Sequence, residues 1–445
     1  MKDVLGEKAY GIDVTETDGT DDLHCPEEAI EKAQKLAADL YGSDECWFLV
    51  NGSTCGNEAM VLSAAGPGEK IIISRDAHKS VLMGLILSGA HPIWIYPEFA
   101  ERESPTAIIT PGLIKKACAE HPDAKAVFLT SPSYYGICQP LKEIADICHG
   151  FGMPLLVDEA HGGHFRFHEA FPDDALSSGA DVVVQSTHKT SGSLTQTSLL
   201  HLHSDLISRD RIDQSLKLVQ STSPSYVLMS SLDAARNQMA VNGRDLMDKA
   251  IKTAEYIRNG LRTAKGVYVF DEFKDRDPLR IAVSLRKTGI DGFRFQRLLF
   301  EKNITTEMAD INYVLIIVSW GTTRDEADKL LEAVRRIASL RSSGKTKKEM
   351  IPSAEETYKV FRTEQRTSPR EAWFSKKKKI TLYEAENRIA GEMIVPYPPG
   401  IPAIYPGEVI TEEIIRYLDK LRCLGASFHG VNDIDNMEIY VTEQP

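Results

Sequence analysis

The sequence predicts an α/β fold, a mostly parallel sheet of seven strands with helices on both faces, followed by small α+β parts toward the carboxyl end. Three observations carry this expectation. Short apolar runs alternate with helical patterns through the first half of the chain. Those runs are continuously apolar instead of alternating, as strands covered on both faces require. Beyond about residue 230 the pattern changes to one long helical stretch, then strands, then a further helix.

The first helix is expected over 26–42, "PEEAIEKAQKLAADLYG", with Pro26 in the first turn, acids early and Gly42 as the stop. The strands are "CWFLVNG" (46–52), "KIIIS" (70–74), "HPIWIY" (91–96), "AVFLTSP" (126–132), "PLLVDEA" (154–160) and "DVVVQST" (181–187), with helices at 77–89, 111–121 and 140–151 between them. "TSLLHL" (197–202) follows its neighbour so closely that it reads as an antiparallel strand. A long helix over 231–265 leads into the strands "VYVFDEF", "RIAVSL" and "VLIIVSW" and a helix at 323–340. Residues 341–356 read as a polar linker, and "PYPPGIPAIYPGE", with five prolines and two glycines, as a rigid extended loop. The expected division is an amino-terminal segment (1–40), a large ligand-binding domain (41–235), a small α+β domain (236–345) and a carboxyl-terminal domain (346–445).

Composition narrows the function. A net charge of -12 argues against nucleic acid or an anionic membrane as a partner. The basic runs, Lys345, Lys347 and Lys348 and then Lys376 to Lys379, read as solvated linker or turn segments. Seven scattered cysteines without a CxxC indicate neither a disulfide framework nor a zinc site, so no metal is expected. No signal peptide is apparent, and no apolar run approaches the roughly 18 residues of a membrane span, so the expectation is a cytoplasmic, soluble protein.

In an open parallel sheet, ligands gather at the carboxyl ends of the strands. After "WFLV" comes "NGSTCGNEAM", in which Gly52, Ser53, Thr54 and Gly56 open a helix. Small side chains, two hydroxyls and backbone N–H groups at a positive helix end suit a phosphate, although an ordinary Ser/Thr cap fits equally. Neither GxGxxG nor GxxxxGK[ST] occurs. After "IIIS", "RDAHKSV" brings His78, by itself more often a cap or surface residue; after "VFLT", "SPSYYG" brings Ser131, Tyr134 and Tyr135. After "PLLV", "DEAHGGHF" brings Asp158 at the strand terminus, then His161 and His164, at spacings that match no standard metal motif. "DVVVQST" delivers Ser186, His188 and Lys189 to the same edge. A lysine ending a strand that reads as buried calls for a reason, and a lysine in a partly dry pocket loses its charge more easily, as Schiff-base chemistry requires. A phosphate cradle, an aromatic ring, a carboxylate for a ring nitrogen and an amine for an aldehyde are together the four demands of pyridoxal phosphate. Each residue alone has an ordinary structural role; all of them on one edge fit such roles poorly.

"STHKTSGSLTQTSLLH" closely resembles the lysine motif of the Orn/Lys/Arg decarboxylases, which have the aspartate-aminotransferase fold (fold type I). "DVTETDGTDDLHCP", "NGSTCGNEAM", "RDAHKSV", "SPSYYG", "VDEAHGGHF", "QSTSPSYVLMSSLDAAR" and "PYPPGIPAIYPGE" resemble the family's other segments in order. The length, without an amino-terminal wing domain, is similar to that of the compact bacterial arginine/lysine decarboxylases. The resemblance implies that Lys189 forms the Schiff base with the cofactor, that Asp158 pairs with the pyridine nitrogen, and that His78 stacks on the ring with Ala160 on its other face. His161 would sit near the ring hydroxyl, Ser53, Thr54, Ser186 and His188 would hold the phosphate, and Ser221 or Thr222 would reach the neighbouring subunit's phosphate in a homodimer or higher homo-oligomer. Glu408 would hold the distal cation of the substrate. The implied reaction is decarboxylation of arginine, or else of lysine or ornithine, to a polyamine precursor, with Lys189 or His78 returning the proton to Cα. An HxPGHK-type segment that precedes "DVTE" in the family has no counterpart in "MKDVLGEKAYGIDVTE", so an altered substrate pocket or dimer is expected. Two other readings stay open: an aminotransferase, lyase or cyclase of the same fold, with Arg280 or Arg286 for the substrate carboxylate, and an inactive paralogue that regulates a decarboxylase.

Overall fold

Continuous apolar runs become the middle of a sheet because both faces of each strand are covered. Ile71 to Ile73, Val127 to Leu129, Leu155 to Val157 and Val182 to Val184 are all fully buried. The computed structural model describes residues 6–17, 19–98, 104, 105, 107–340, 360–397, 400–433 and 435–443. They fall into two compact units, the first made of Met1–Ile95, Ile109–Pro132 and Cys138–Asp245, the second of Tyr96–Ile108, Ser133–Ile137 and Leu246–Pro445.

In the first unit the chain runs α1 (Glu7–Ile12), α2 (Ala29–Tyr41), β1 (Glu45–Leu49), α3 (Gly52–Ala64), β2 (Lys70–Ser74), α4 (Lys79–Ser88) and β3 (His91–Ile95). It continues through α5 (Pro111–Glu120), β4 (Val127–Thr130), α6 (Leu141–Gly150), β5 (Leu155–Asp158), β6 (Val182–Gln185), the short α7 (Thr187–Thr190), β7 (Ser198–Leu202) and α8 (Arg209–Val219). The strand order is β1-β7-β6-β5-β4-β2-β3. β3, β2, β4, β5 and β6 are mutually parallel, and β7 is antiparallel to both β6 and β1. The expected seven-stranded, mostly parallel sheet with one antiparallel strand is therefore present.

Helix boundaries shift where a side chain from elsewhere supplies the cap. The first of the predicted helices begins at Ala29 and not at Pro26. Asp21, upstream of it, accepts from the N–H groups of Glu27 (3.0 Å), Glu28 (3.0 Å) and Ile30 (2.8 Å), which satisfies donors that a helix start leaves open. Gly42 ends this helix at φ +71°, a left-handed conformation that favours glycine. The long helix α9 runs Tyr226–Arg262, starting five residues before the expected 231. Ser225 caps it, its Oγ accepting from Leu228 N (3.4 Å).

His201, in the middle of β7, is fully buried; its Nδ1 lies 3.1 Å from Ser43 Oγ and its ring 4.9 Å from that of Tyr41. Burial, with Arg166 adding to it, pushes the imidazole down to about 3. The ring stays neutral in the fold while the unfolded chain takes up a proton near 6.5, so stability is intact above 6.5 and is lost as pH falls toward 3. Its contribution to the slope reaches about 1.4 kcal/mol per pH unit. Thermal midpoints measured between pH 6.5 and 4 should fall less steeply in His201→Gln than in the wild type; equal slopes would show that this ring is not held neutral.

The second unit carries β8 (Tyr268–Val269), β9 (Arg280–Ser284), α10 (Gly292–Phe300), β10 (Met308–Ala309), β11 (Val314–Ile317) and α11 (Arg324–Ser339), whose strands form an antiparallel sheet in the order β10-β11-β9-β8. Of "VYVFDEF", only Tyr268 and Val269 pair as a strand. Residues 341–356, expected as a linker, lie outside the described residues, as do Lys345, Lys347 and Lys348. Beyond them come α12 (Pro369–Phe374), β12 (Lys377–Thr381), β13 (Val395–Tyr397), α13 (Glu412–Leu424), β14 (Ser427–His429) and β15 (Glu438–Thr442). β12 pairs with β15 and β13 with β14; the first two residues of the proline-rich segment, Pro396 and Tyr397, belong to β13, and 400–408 lies outside helix and strand. Lys377 to Lys379 lie in β12, on a strand and not in a turn.

Candidate active site

The charged residues predicted at the strand ends meet around the carboxyl ends of β5 and β6 and the amino end of α3. β5 ends in Asp158, 4% exposed. Its Oδ1 accepts from Ala160 N (3.0 Å) and its Oδ2 from Asn57 Nδ2 (2.8 Å). Asp158 therefore shapes the turn after its own strand and caps no helix. Among the described residues no cationic side chain is in ion-pair contact with it.

Asn57 lies on the sheet-facing side of α3, 1% exposed, and donates its second N–H to Ser80 Oγ (2.8 Å). Ser80 in turn serves His78, whose Nδ1 is 2.8 Å from Ser80 Oγ and 3.3 Å from Ser80 N. Nδ1 accepts in this arrangement, as the N-cap of α4, which leaves the proton on Nε2. The modest role of cap and the candidate site role thus fall on one residue. Burial pushes the His78 imidazole down to about 4; Asp158 opposes this, and the Lys189 and Lys79 cations add to it. His78 is a neutral ring at neutral pH.

β6 is buried along its whole length, and the chain then turns through Ser186 into α7. Ser186 Oγ donates to Ser53 Oγ (2.8 Å), which ties the lysine turn to the first turn of α3. His188 is half-buried; its Nδ1 donates to the Thr197 carbonyl (2.7 Å), and burial pushes its pKa down. Lys189 Nζ stands 3.2 Å from His161 Nε2. One expectation is corrected here. The strand is buried, but Lys189 itself is exposed in the single chain, because α7 carries it beyond the end of the sheet.

α3 opens at Gly52 (φ +75°), whose N–H donates to the Gln196 carbonyl (2.7 Å). The N-cap is Asn51, with no side-chain capping bond, so neither Ser53 nor Thr54 is used as the cap. Thr54 is exposed, and Ser53 is half-buried beside Ser186. Ser221 and Thr222 are exposed; Ser221 N donates to Asn51 Oδ1 (3.4 Å), and its carbonyl lies 2.8 Å from His24 Nε2. That loop is thus anchored at the α3 amino end of its own chain. Ala160 is buried beside Asp158, and His164 packs edge-on against Phe165 (4.9 Å) and Phe171 (4.7 Å) as part of the core.

The remaining candidates lie in the second unit. Glu408 is 1% exposed and its Oε2 accepts from Tyr405 N (2.8 Å). It follows Gly407 (φ +90°), where a Cβ would meet the Thr367 carbonyl at 2.3 Å. Tyr134 donates to Glu307 (2.5 Å) and Tyr135 to Asp310. Arg280 is buried in an ion pair with Asp277 (3.3 Å) and donates to the Tyr134 carbonyl (2.7 Å), so it is committed within this unit; Arg286 is half-buried on a single 3₁₀ turn.

Sequence reasoning missed Asn57, Ser80, Glu159 and Gln185. Asn57 offered one signal, a polar residue on the apolar face of a predicted helix. Leucine at 57 is expected to leave Asp158 and Ser80 each one hydrogen bond short. Loss of a buried bond to a carboxylate amounts to about 2 kcal/mol, read as a lower thermal midpoint for Asn57→Leu in the cofactor-free protein; an unchanged midpoint would show that the bond contributes nothing.

The donor set fits pyridoxal phosphate. A buried carboxylate without a cationic partner suits a protonated ring nitrogen, a neutral imidazole suits stacking, the N–H groups of α3 with two serine hydroxyls suit a phosphate, and a primary amine suits an aldehyde.

The sequence profile for the Orn/Lys/Arg decarboxylase major domain matches residues 1–277, and that for the family's C-terminal domain matches 352–439. The arginine decarboxylase of Bacillus subtilis (strain 168) is 38% identical over 97% of this chain and 89% of its own. The chain belongs to the Orn/Lys/Arg decarboxylase family. Among solved structures, the lysine decarboxylase LdcF of Francisella novicida superposes with a TM-score of 0.83 at 21% identity, over 99% of this chain and 76% of its own. An alanine–glyoxylate aminotransferase from Nostoc sp. superposes with a TM-score of 0.55 at 20% identity, over 69% of this chain and 86% of its own. The fold is thus fold type I, as the motifs implied, and the cofactor of this family and fold is pyridoxal phosphate.

Proposed function

We propose that this protein decarboxylates arginine to the corresponding amine and CO₂, using pyridoxal phosphate bound at the Asp158–Lys189 edge. The observation that carries the cofactor site is the buried Asp158 carboxylate, with the neutral His78 and the Lys189 amine on the same sheet edge. Arginine is favoured over lysine and ornithine because a relative named arginine decarboxylase is 38% identical along 97% of the chain, whereas the 21% likeness to a lysine decarboxylase speaks for the fold alone.

When bound, pyridoxal phosphate supplies the electron sink that makes loss of CO₂ from Cα feasible. The chain's own groups have separate tasks. Lys189 would hold the aldehyde by its amine and yield it to the substrate. Asp158 would keep the ring nitrogen protonated, its own orientation fixed by Asn57 and Ala160 N–H. Ser53, Thr54, Ser186 and His188 would hold the phosphate, with Ser221 or Thr222 of a partner subunit completing that site. His78 would stack on one ring face and Ala160 pack on the other, with His161 near the ring hydroxyl. Of the two acids considered for returning a proton to Cα, Lys189 is favoured, since His78 is neutral above about 4 and the N–H of a neutral imidazole is a far weaker acid. Glu408 would hold the guanidinium of the substrate. The proposal keeps a large ligand-binding domain over 41–235, with smaller domains at 236–345 and 346–445. The proposal includes a cytoplasmic homodimer feeding polyamine synthesis, in keeping with seven cysteines that form no disulfide among the described residues.

The test is an assay of CO₂ and amine from purified protein supplied with pyridoxal phosphate and, separately, arginine, lysine and ornithine. Stoichiometric CO₂ and amine, fastest with arginine, is the expected result. A keto acid, or a cyclised product without CO₂, would overturn it.

A further inference from the structure

Behind the lysine turn lies a buried pair that cofactor binding does not use. Glu159 and Gln185, each 1% exposed, stand at the adjacent ends of β5 and β6. Glu159 N donates to the Val184 carbonyl (3.0 Å) and continues the ladder between the two strands. Its side chain then bridges them again: Oε2 accepts from Gln185 Nε2 (2.7 Å), while Oε1 accepts from Ala175 N (2.8 Å).

The bridge joins two functional turns. On one side, a Cβ at Gly162 would lie 2.7 Å from Glu159 Cγ, so the Glu159 side chain packs directly against the turn that carries His161. On the other side, Gln185 is the last strand residue before Ser186 and α7, and α7 carries Lys189. The two turns also touch beyond the bridge, since a Cβ at Gly163 would lie 3.2 Å from Thr190 Oγ1 and 3.4 Å from Gln185 Cβ. Lys189 Nζ and His161 Nε2, 3.2 Å apart, therefore hang from two turns whose shared support is the Glu159–Gln185 bond. Burial, with the Asp174 carboxylate beside it, pushes the Glu159 carboxyl well above its ordinary range. Gln185 Oε1 and Thr190 Oγ1 are buried and have no hydrogen-bond partner among the described residues, which leaves the Gln185 amide free to turn over.

We propose that Glu159 is a positioning residue: through its hydrogen bond to Gln185 it sets the separation between the turn bearing His161 and the turn bearing Lys189, and so the approach of the Lys189 amine to the cofactor aldehyde. The proposal rests on Lys189 being the cofactor lysine.

The test follows formation of the Schiff base, in which the amine displaces water from the aldehyde, and not turnover of substrate. Cofactor-free protein is mixed with pyridoxal phosphate well below its thermal midpoint, and growth of the visible absorbance of the lysine-bound cofactor is timed. Glu159→Leu and Gln185→Met are expected to slow it about tenfold, the scale set by one buried hydrogen bond. Glu159→Gln is expected to behave like the wild type, because a turned Gln185 amide can meet the new amide. If Glu159→Leu does not fold, Gln185→Met, which keeps length and bulk, decides alone. Wild-type rates in Gln185→Met or Glu159→Leu, with only the thermal midpoint lowered, would overturn the proposal, as would a Glu159→Gln variant as slow as Glu159→Leu. Lys189→Ala tells the two claims apart: if it still develops the band, the lysine assignment itself fails and the positioning role goes with it.

Discussion

Lys189→Ala is expected to lose the visible absorbance of bound pyridoxal phosphate and to lower CO₂ release from arginine by at least about 10⁴-fold. The size follows from the number of tasks placed on one amine. On the proposed function it would hold the cofactor aldehyde, yield it to the substrate and return the proton to Cα, and covalent and acid–base contributions of this kind are each worth orders of magnitude. Lys189→Arg separates charge from nucleophilicity. A guanidinium keeps the positive charge opposite His161 but stays protonated and does not condense with an aldehyde, so this variant should be as inactive as alanine. Substantial amine production by either variant would contradict the role given to Lys189.

The second large effect is expected at Asp158. Asp158→Asn preserves shape, but its single carbonyl can accept from Asn57 or from Ala160 N–H and not from both, so the variant removes the negative charge together with one hydrogen bond. Removing one partner of a buried ion pair costs about 3–5 kcal/mol, which corresponds to a fall of roughly 10²–10⁴-fold in kcat/KM, with weaker cofactor binding alongside. Such a loss, well beyond the roughly 2 kcal/mol that one lost hydrogen bond takes from the stability of the cofactor-free protein, is the signature of a charge that serves the cofactor. A variant within a few-fold of wild type would mean that another group pairs with the ring nitrogen.

How far the sequence disclosed this site depends on the kind of residue involved. The sheet was legible because strands covered on both faces, such as Val182 to Val184, leave continuous apolar runs that no surface strand shows. Asp158, His78 and Lys189 were legible for the same reason in reverse, as titratable residues following such runs at the edge where ligands bind. Ser80 was not, and Asn57 only as a polar residue on an apolar helix face, since the partners of Asn57 lie 101 and 23 positions away along the chain. Glu159 looked like a neighbour of Asp158 with no task of its own; its bond to Gln185 spans 26 residues and becomes visible only when β5 and β6 lie side by side. The start of α2 was misplaced because Asp21, well upstream, does the capping that Pro26 suggested would be local. The exposure of Lys189 could not be read from a buried strand, because the short helix that follows the strand lifts the side chain clear of it.

The central claim is that pyridoxal phosphate is carried by Lys189 at this sheet edge. Borohydride reduction of the pyridoxal-phosphate-loaded protein, followed by proteolysis and mass spectrometry, tests it most directly, because reduction of the carbon–nitrogen double bond fixes the cofactor where it sits. The expected result is one phosphopyridoxyl group on the peptide containing Lys189, and none after prior incubation with hydroxylamine, which strips the aldehyde. Label on a different lysine, or no specific label at all, would contradict the account.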